Sequence, residues 1–406
     1  MSRVLLLIPS RTYRTHDFME AARVLSIDVV VASPHRPALA PLMEGRHIRL
    51  DFNRIDESVR SIVNFASRLS LDAIVAVDDA GTRLASAAAH ALDVPHNPIE
   101  AVETASNKAL ARAAFERAGL RTPAFRVFSV DQDPQTIAAE IRYPCVVKPL
   151  DLSGSQGVIR VDDEASLPGV FERVAAIVRS CAREARPNLL IEDFIPGREV
   201  AVEGLLRHGR LEVLAVFDKP DPLDGPYFEE TIYVTPSRLE PDQQGSIAET
   251  TAAATTALGL LEGPIHAELR INEGGMTVLE VAPRSIGGLC ARTLRFGAGI
   301  SLEELILRHA AGLAMPDHRL DPRAAGVMML PIRRAGRLES VKGQEAARRV
   351  PEIEDLIVTV PPGERLVPLP EGDRYLGFLF ARGRRPSTVE AALRDAYSRL
   401  TVVTHD

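Results

Sequence analysis

At 406 residues the chain is too long for one ordinary domain, and 46% apolar residues are ample for cores in roughly two to four structural units. A formal net charge of −7 gives no electrostatic case for binding nucleic acid or an acidic membrane surface. No apolar run approaches the ~18 residues that span a bilayer. Cys145, Cys181 and Cys290 lack metal-ligand spacing and cannot all pair with one another, which fits a reducing cytoplasm, and the scattered histidines show no zinc pattern.

Residues 1–97 alternate strand and helix signals. Val4-Leu5-Leu6-Leu7-Ile8, Asp28-Val29-Val30-Val31-Ala32 and Ala73-Ile74-Val75-Ala76-Val77 are short continuous apolar runs, suited to parallel strands buried on both faces. The first run, followed by Pro9, reads as a buried strand and not as a signal peptide. With amphipathic stretches over residues 57–69 and 82–92, this predicts a small doubly wound α/β domain. No Gly-x-Gly-x-x-Gly turn follows the first strand, so a dinucleotide fingerprint is absent. Asp78-Asp79 lies at a strand C-terminus, where open α/β sheets place ligands, although a solvated turn explains the pair more simply.

Residues 98–119 carry two helices, the second opened by a Ser106-Asn107 cap signal and ended by Gly119. Lys108 in its first turn opposes the helix dipole; a bound phosphate would offset the mismatch, and an exposed lysine would tolerate it. From Tyr143 the texture becomes antiparallel. Pro144-Cys145-Val146-Val147-Lys148-Pro149 and Gly157-Val158-Ile159-Arg160-Val161 flank a small-residue loop, Asp151-Leu152-Ser153-Gly154-Ser155-Gln156, able to turn backbone N–H groups toward an anion. Lys148 lies between apolar residues, and a lysine in a buried strand calls for an anionic partner. Two strands then meet at a Pro196-Gly197 bend, and a further strand over residues 211–217 ends in Asp218-Lys219-Pro220. Helical signals cover residues 243–258 and 301–312. The last eighty or so residues mix strands with one helix, near residues 387–400, and read as a packing or lid-supporting subdomain.

The stretch from His266 to Gly288 holds most of the chemistry. It predicts two strands joined by a Glu273-Gly274-Gly275 turn, with Ala267, Leu269 and Ile271 on one face and His266, Glu268 and Arg270 on the other. If that turn sets the register, Glu268 stands opposite Glu280, with Cβ atoms ~5 Å apart and like charges opposed. Two readings stand: a pair of carboxylates awaiting a cation such as Mg²⁺, or solvated side chains on an open sheet face.

Taken in order, a lysine at a helix start, a lysine before a Ser/Gly loop, the bend Glu192-Asp193-Phe194-Ile195-Pro196-Gly197-Arg198-Glu199 and a paired-Glu hairpin ending Glu280-Val281-Ala282-Pro283-Arg284 resemble the ATP-grasp superfamily over roughly residues 1–315. Ser285-Ile286-Gly287-Gly288 and the C-terminal segment extend a likeness to the L-amino acid ligases, which make dipeptides, over nearly the whole chain. The resemblance implies an α/β and α+β multidomain fold: a doubly wound parallel-sheet domain over 1–97, linker helices and a first ATP-grasp subdomain over 98–188, a second over 189–318, and a C-terminal α+β subdomain over 319–406. It implies ATP and Mg²⁺, or Mn²⁺ in its place, as cofactors. Lys108 and Lys148 would contact the phosphates, with Ser153, Gly154, Ser155 and Gly157 in the loop closing over them. Glu192, Asp193, Phe194 and Ile195 would form the adenine hinge, and Glu199 would take the ribose hydroxyls. Glu268 and Glu280 would hold the metal, Arg284 with the Ser285, Gly287 and Gly288 backbone would face the reacting carboxylate, and Lys219 would reach the transferred phosphate. Glu230 and Tyr233 resemble the segment that contacts the amino substrate.

The expected activity is a carboxylate–amine ligation through an acyl phosphate, with a small carboxylate and a small amine as partners, cytoplasmic, and with a homodimer as the default oligomer. Two departures bear on it. Ala282 stands where many ATP-grasp enzymes carry a third metal ligand, and Tyr233 where the dipeptide ligases often have histidine. The alternatives are a purine-biosynthetic type of ligase activating bicarbonate or formate, with Arg292 and Arg295 as its basic cluster, or an ATP-binding protein without turnover.

Overall fold

The computed structural model describes residues 2–35, 45–181 and 187–405. Strands Arg3–Leu7, Asp28–Ser33, His47–Arg49 and Ala73–Ala76 form a wholly parallel sheet in the order third, second, first, fourth. Leu5, Leu6 and Leu7 are fully buried on its two faces, each worth ~1.5–3 kcal/mol of transfer free energy. Helices Thr15–Val24, Ile55–Ala66 and Asp79–Ala91 complete the expected doubly wound unit; the short strand His47–Arg49 carries no apolar run and is an addition to it.

Helices Ile99–Ser106 and Lys108–Arg117 follow, the second capped by Asn107, whose side chain accepts from the N–H groups of Ala109 and Leu110 at 3.0 and 3.2 Å. Strands Phe125–Ser129, Asn188–Asp193, Cys145–Pro149 and Ile159–Val161, in that order, build an antiparallel sheet. The helix Leu167–Cys181 packs on it through Phe171, Val174 and Val178.

The largest sheet has eight strands. It runs from the hairpin Gly275–Ala282 and Gly263–Asn272 through Arg198–Arg207, Arg210–Asp218 and Ile232–Thr235 to Ala324–Leu330, Gly377–Gly383 and Ile353–Val358. The last three strands come from the segment expected to stand as its own subdomain. They lengthen the sheet of residues 189–318 instead, because Thr235 pairs with Ala325 and leaves no free edge between them. A three-stranded sheet of Gly336–Lys342, Arg365–Leu366 and Thr401–His405 lies beyond, and helix Pro386–Ser398 buries Val389, Leu393 and Ala396 against the extension.

Helix Pro241–Leu258 packs with the Lys108–Arg117 helix on the face of the sheet carrying Ala267 and Leu269. Helix Leu302–Ala310, opened by a capping box between Ser301 and Glu304, joins the parallel sheet to the large one. Its Leu305 and Ile306 share a core with Phe18, Val75, Phe217 and Phe378, so the C-terminal ends of the parallel strands are held against the end of the hairpin. Among the described residues no helix is long and apolar enough to cross a membrane.

Candidate active site

The hairpin register is as its turn predicts: Glu268 pairs with Glu280, and an irregularity follows at Leu269. The face of that strand carrying Glu268 is not an open one. His266 and Arg270 are buried, which overturns the reading of these side chains as an open sheet face. They are buried because the strand Arg198–Arg207 pairs alongside and the ends of neighbouring strands bring more charge onto the same side.

Lys219 is the hub. Where the strand Arg210–Asp218 ends, its Nζ enters a ring of carboxylates and donates to Glu199 at 2.7 Å, Glu230 at 2.7 Å and Glu268 at 2.8 Å. The three acidic groups offer oxygens lying within 4.8 Å of one another. Burial disfavours the charge on Lys219, but the carboxylates outweigh it and hold the ammonium well above its usual pKa. Burial likewise pushes Glu230 up to about 7, with Lys219 pulling down and Glu268 pushing up. Glu268 is held well below the usual carboxylate range, Lys219 overcoming its burial. The Tyr233 ring lies 4.9 Å from Nζ, and its buried hydroxyl has no hydrogen-bond partner among the described residues. Arg270 closes the other side: Nε donates to Glu199 at 2.9 Å, Nη1 to the Ile195 carbonyl at 2.6 Å and Nη2 to the Leu223 carbonyl, while the guanidinium sits 5.2 Å from the Phe194 ring centre.

A second buried group spans the antiparallel sheet. Glu192 takes Lys148 Nζ at 2.5 Å on one oxygen and Arg112 Nε at 3.0 Å on the other. Burial works against ionised Glu192, yet the two cations hold its carboxyl below the usual range; burial also lowers Lys148. Lys108 lies near this group, donating to the Leu152 carbonyl at 2.7 Å with Glu280 at 3.7 Å. The bend that joins this sheet to the large one requires Gly197. At φ 127° its backbone passes so close to the hairpin that a Cβ would stand 2.3 Å from the Ile271 carbonyl oxygen.

The third group forms across domains. Arg284 Nη2 donates to Asp79 Oδ2 at 2.7 Å, and Nη1 to the Ser285 carbonyl at 3.0 Å. Burial opposes the charge on Asp79, but Arg284 outweighs it and keeps the carboxyl below the usual range. Asp78 caps the helix that begins at Asp79, so the pair is more than a solvated turn: one residue starts a helix and the other pairs with the arginine. The small-residue loop is held from the C-terminal segment. Gly157 N–H donates to the Pro370 carbonyl at 2.8 Å, Gln156 Nε2 to the Glu371 carbonyl at 3.0 Å, and Arg173 grips the Glu371 carboxylate at 2.6 and 3.0 Å. The segment expected to pack or to support a lid thus contacts the small-residue loop.

Several of the expected site residues have partners within the protein. Glu192 meets its partners through its side chain, and the Asp193 and Phe194 N–H groups are taken by the carbonyls of Ala124 and Pro144, since the inner strand that ends at Asp193 is flanked by a neighbour on each side. Glu199, expected at a ribose, has one oxygen on Lys219 and the other on Arg270. Tyr233 is packed in the core against Phe217. Ser285 is buried, Gly287 has open space where a Cβ would stand, and at Gly288, with φ 62°, a Cβ would lie 2.9 Å from Phe378. Sequence reasoning missed Arg112, Asp79 as a partner, and Glu203. Asp79 had left a signal in its place at a strand C-terminus, and Glu203 in being a charge among the apolar residues of a strand.

The donor set suits a divalent ion. Glu268 and Glu280 offer hard oxygens from adjacent strands, and Glu280 is partly exposed, while Ala282 supplies no third ligand.

Residues 141–293 match the ATP-grasp domain, and residues 328–405 match L-amino acid ligase C-terminal domain 2. An alanine–anticapsin ligase of Bacillus amyloliquefaciens is 26% identical over 62% of this chain and 56% of its own length; the human carnosine synthase 1 is 26% identical over 80% of this chain and 42% of its own. The chain therefore spans about half the length of these two relatives. The crystal structure of an L-amino acid ligase from Bacillus licheniformis superposes with a TM-score of 0.83 at 24% identity, covering 100% of this chain and 99% of that one. Residues 141–293 thus carry an ATP-grasp domain and residues 328–405 an L-amino acid ligase C-terminal domain 2, and the likeness to the solved structure shows the fold they share.

Proposed function

We propose that this protein is an ATP- and Mg²⁺-dependent ligase that joins a carboxylate to an amine through an acyl phosphate, and that its substrates are amino acids. The observation that carries this reading is the meeting, where three sheets converge, of Lys108, Lys219 and Arg284 with the opposed carboxylates Glu268 and Glu280. Lys108 and Lys148 hold phosphate oxygens, the loop through Ser153, Gly154, Ser155 and Gly157 lies over them, and Ile195 and its neighbours border adenine. Glu268 and Glu280 would hold Mg²⁺, which would supply charge neutralisation for phosphoryl transfer. Phosphoryl transfer needs positioning and charge more than covalent help, which these residues provide. Arg284, held by Asp79, faces the carboxylate under attack and, with backbone donors of the following loop, stabilises the developing oxyanion. Glu230, poised near neutrality, faces the amino group of a substrate.

The ribonucleotide alternative asks for a free basic cluster. Arg292 is engaged by Asp17 at 2.8 and 2.9 Å, which takes it out of such a cluster, while Arg295 donates to the Leu294 carbonyl and keeps its charge. The test is ADP release from ATP across pairs of amino acids, with bicarbonate and formate plus a phosphoribosyl amine alongside. Release requiring two amino acids together is expected. Release only with the phosphoribosyl set would overturn the substrate assignment, and ATP binding without ADP formation on any set would overturn catalysis.

A further inference from the structure

A carboxylate–imidazole pair in the large sheet is left without a role by the ligase reading. Glu203 is wholly buried in the strand Arg198–Arg207, opposite His266 on the neighbouring strand. One of its oxygens lies 2.5 Å from His266 Nδ1, and the other accepts the Ile286 N–H at 3.0 Å. The second imidazole nitrogen, Nε2, lies 3.6 Å from Glu268 Oε1. Four groups are thereby linked in a row: the Ile286 backbone, Glu203, His266 and Glu268. The row connects the loop that follows Arg284 with one of the two hairpin carboxylates.

Packing alone does not ask for this arrangement. An ionised carboxylate away from water is costly, and an apolar residue of similar size is often as stable or more so. The strand neighbours of Glu203 are apolar, Val202 before it and Leu205 beyond Gly204. A leucine at 203 would fill the space, but could hold neither the imidazole nor the Ile286 N–H. Both oxygens of Glu203 are spent on segments that the ligase reading needs in register.

We propose that Glu203 and His266 are positioning residues for the active site: Glu203 fixes the His266 ring, Nε2 steers the Glu268 carboxylate, and the other Glu203 oxygen anchors the Ser285–Gly288 backbone at Ile286. The inference rests on the reading of Glu268 as a metal carboxylate. Neither residue touches a reactant; both act through Glu268 and the loop. Partners of this kind, lying behind metal ligands, are worth about 10–100-fold in metal affinity or activity.

His266→Gln keeps an amide able to donate to Glu203 but has no second nitrogen to reach Glu268. Glu203→Gln keeps the shape of the buried group while weakening its hold on the ring, and serves if the first variant does not fold. Mn²⁺ binding to the full-length, ATP-loaded protein would be measured by water-proton relaxation, with ATP binding in EDTA by calorimetry and thermal midpoints in parallel. Mn²⁺ affinity is expected to fall roughly tenfold or more, with metal-free ATP affinity unchanged. A lowered midpoint with wild-type Mn²⁺ affinity would make the pair merely structural and overturn the inference. If the wild-type protein neither binds Mn²⁺ with ATP nor releases ADP, the ligase reading itself fails and takes this inference with it. A wild type that does both beside unchanged variants refutes the positioning role alone.

Discussion

Replacing Glu192 by glutamine tests the buried charges of the antiparallel sheet. In the wild type one carboxylate neutralises Lys148 at 2.5 Å and Arg112 at 3.0 Å, and all three side chains are buried. The substitution keeps the shape and leaves two buried cations facing each other. Removing one partner of a buried ion pair costs about 3–5 kcal/mol. At ~2–4 °C per kcal/mol for a domain of this size class, the thermal midpoint of that unit should fall on the order of 10 °C. The loss should depend on pH in a definite sense. Burial already lowers the Lys148 pKa, and Glu192 is the group opposing that fall. Without Glu192 the folded-state pKa drops further below that of the unfolded chain, so the unfolded state binds more protons and stability rises with pH across the interval between the two values. The deficit of Glu192→Gln should therefore narrow from pH 7 to pH 9.5, as Lys148 sheds its proton at little cost. ATP should also recover part of the deficit, because its phosphates return the missing negative charge beside Lys148. Urea melts at both pH values, with and without ATP, measure this. A variant as stable as wild type at pH 7, or a deficit that widens with pH, would refute the account of the triad.

Lys219→Met should strip the shared counter-ion from Glu199, Glu230 and Glu268, abolish ADP formation and cost about 3–5 kcal/mol. Millimolar Mg²⁺ without nucleotide should restore part of that stability; a thermal shift indifferent to Mg²⁺ would show that the three carboxylates do not share a cation. Asp79→Asn removes the charge that holds Arg284 from a partly exposed position, so it should leave the fold intact and lower kcat on the order of a hundredfold through misplacement of the guanidinium. Unchanged turnover would detach Asp79 from catalysis. Glu371→Ala breaks a half-exposed ion pair and should cost no more than ~1 kcal/mol, yet speed proteolytic cleavage in residues 151–157 until ATP is added. Equal cleavage rates would mean that the C-terminal segment does not fasten the loop.

The pairing of Glu268 with Glu280 was legible in the sequence because it depends on local rules: a period of two along each strand and a short glycine turn that sets the register. The same holds for the Asn107 cap, the apolar runs of the parallel sheet and the amphipathic helices, all of which answer to residues a few positions away. The fate of each charged side chain was not legible. Nothing local to Lys219 showed its partners; three separate parts of the chain bring Glu199, Glu230 and Glu268 around it. Asp79 read as a turn until a helix contributed by residues 302–310 docked the first sheet beside Arg284, which lies 205 positions along the chain. The C-terminal strands carried the same alternation whether they formed their own sheet or lengthened another, and the free edge at Ile232–Thr235 decided between the two. Local pattern sets which elements form and which face of each is apolar. The partner of a buried charge depends on which distant segments share its burial, and only the packed tertiary structure determines that.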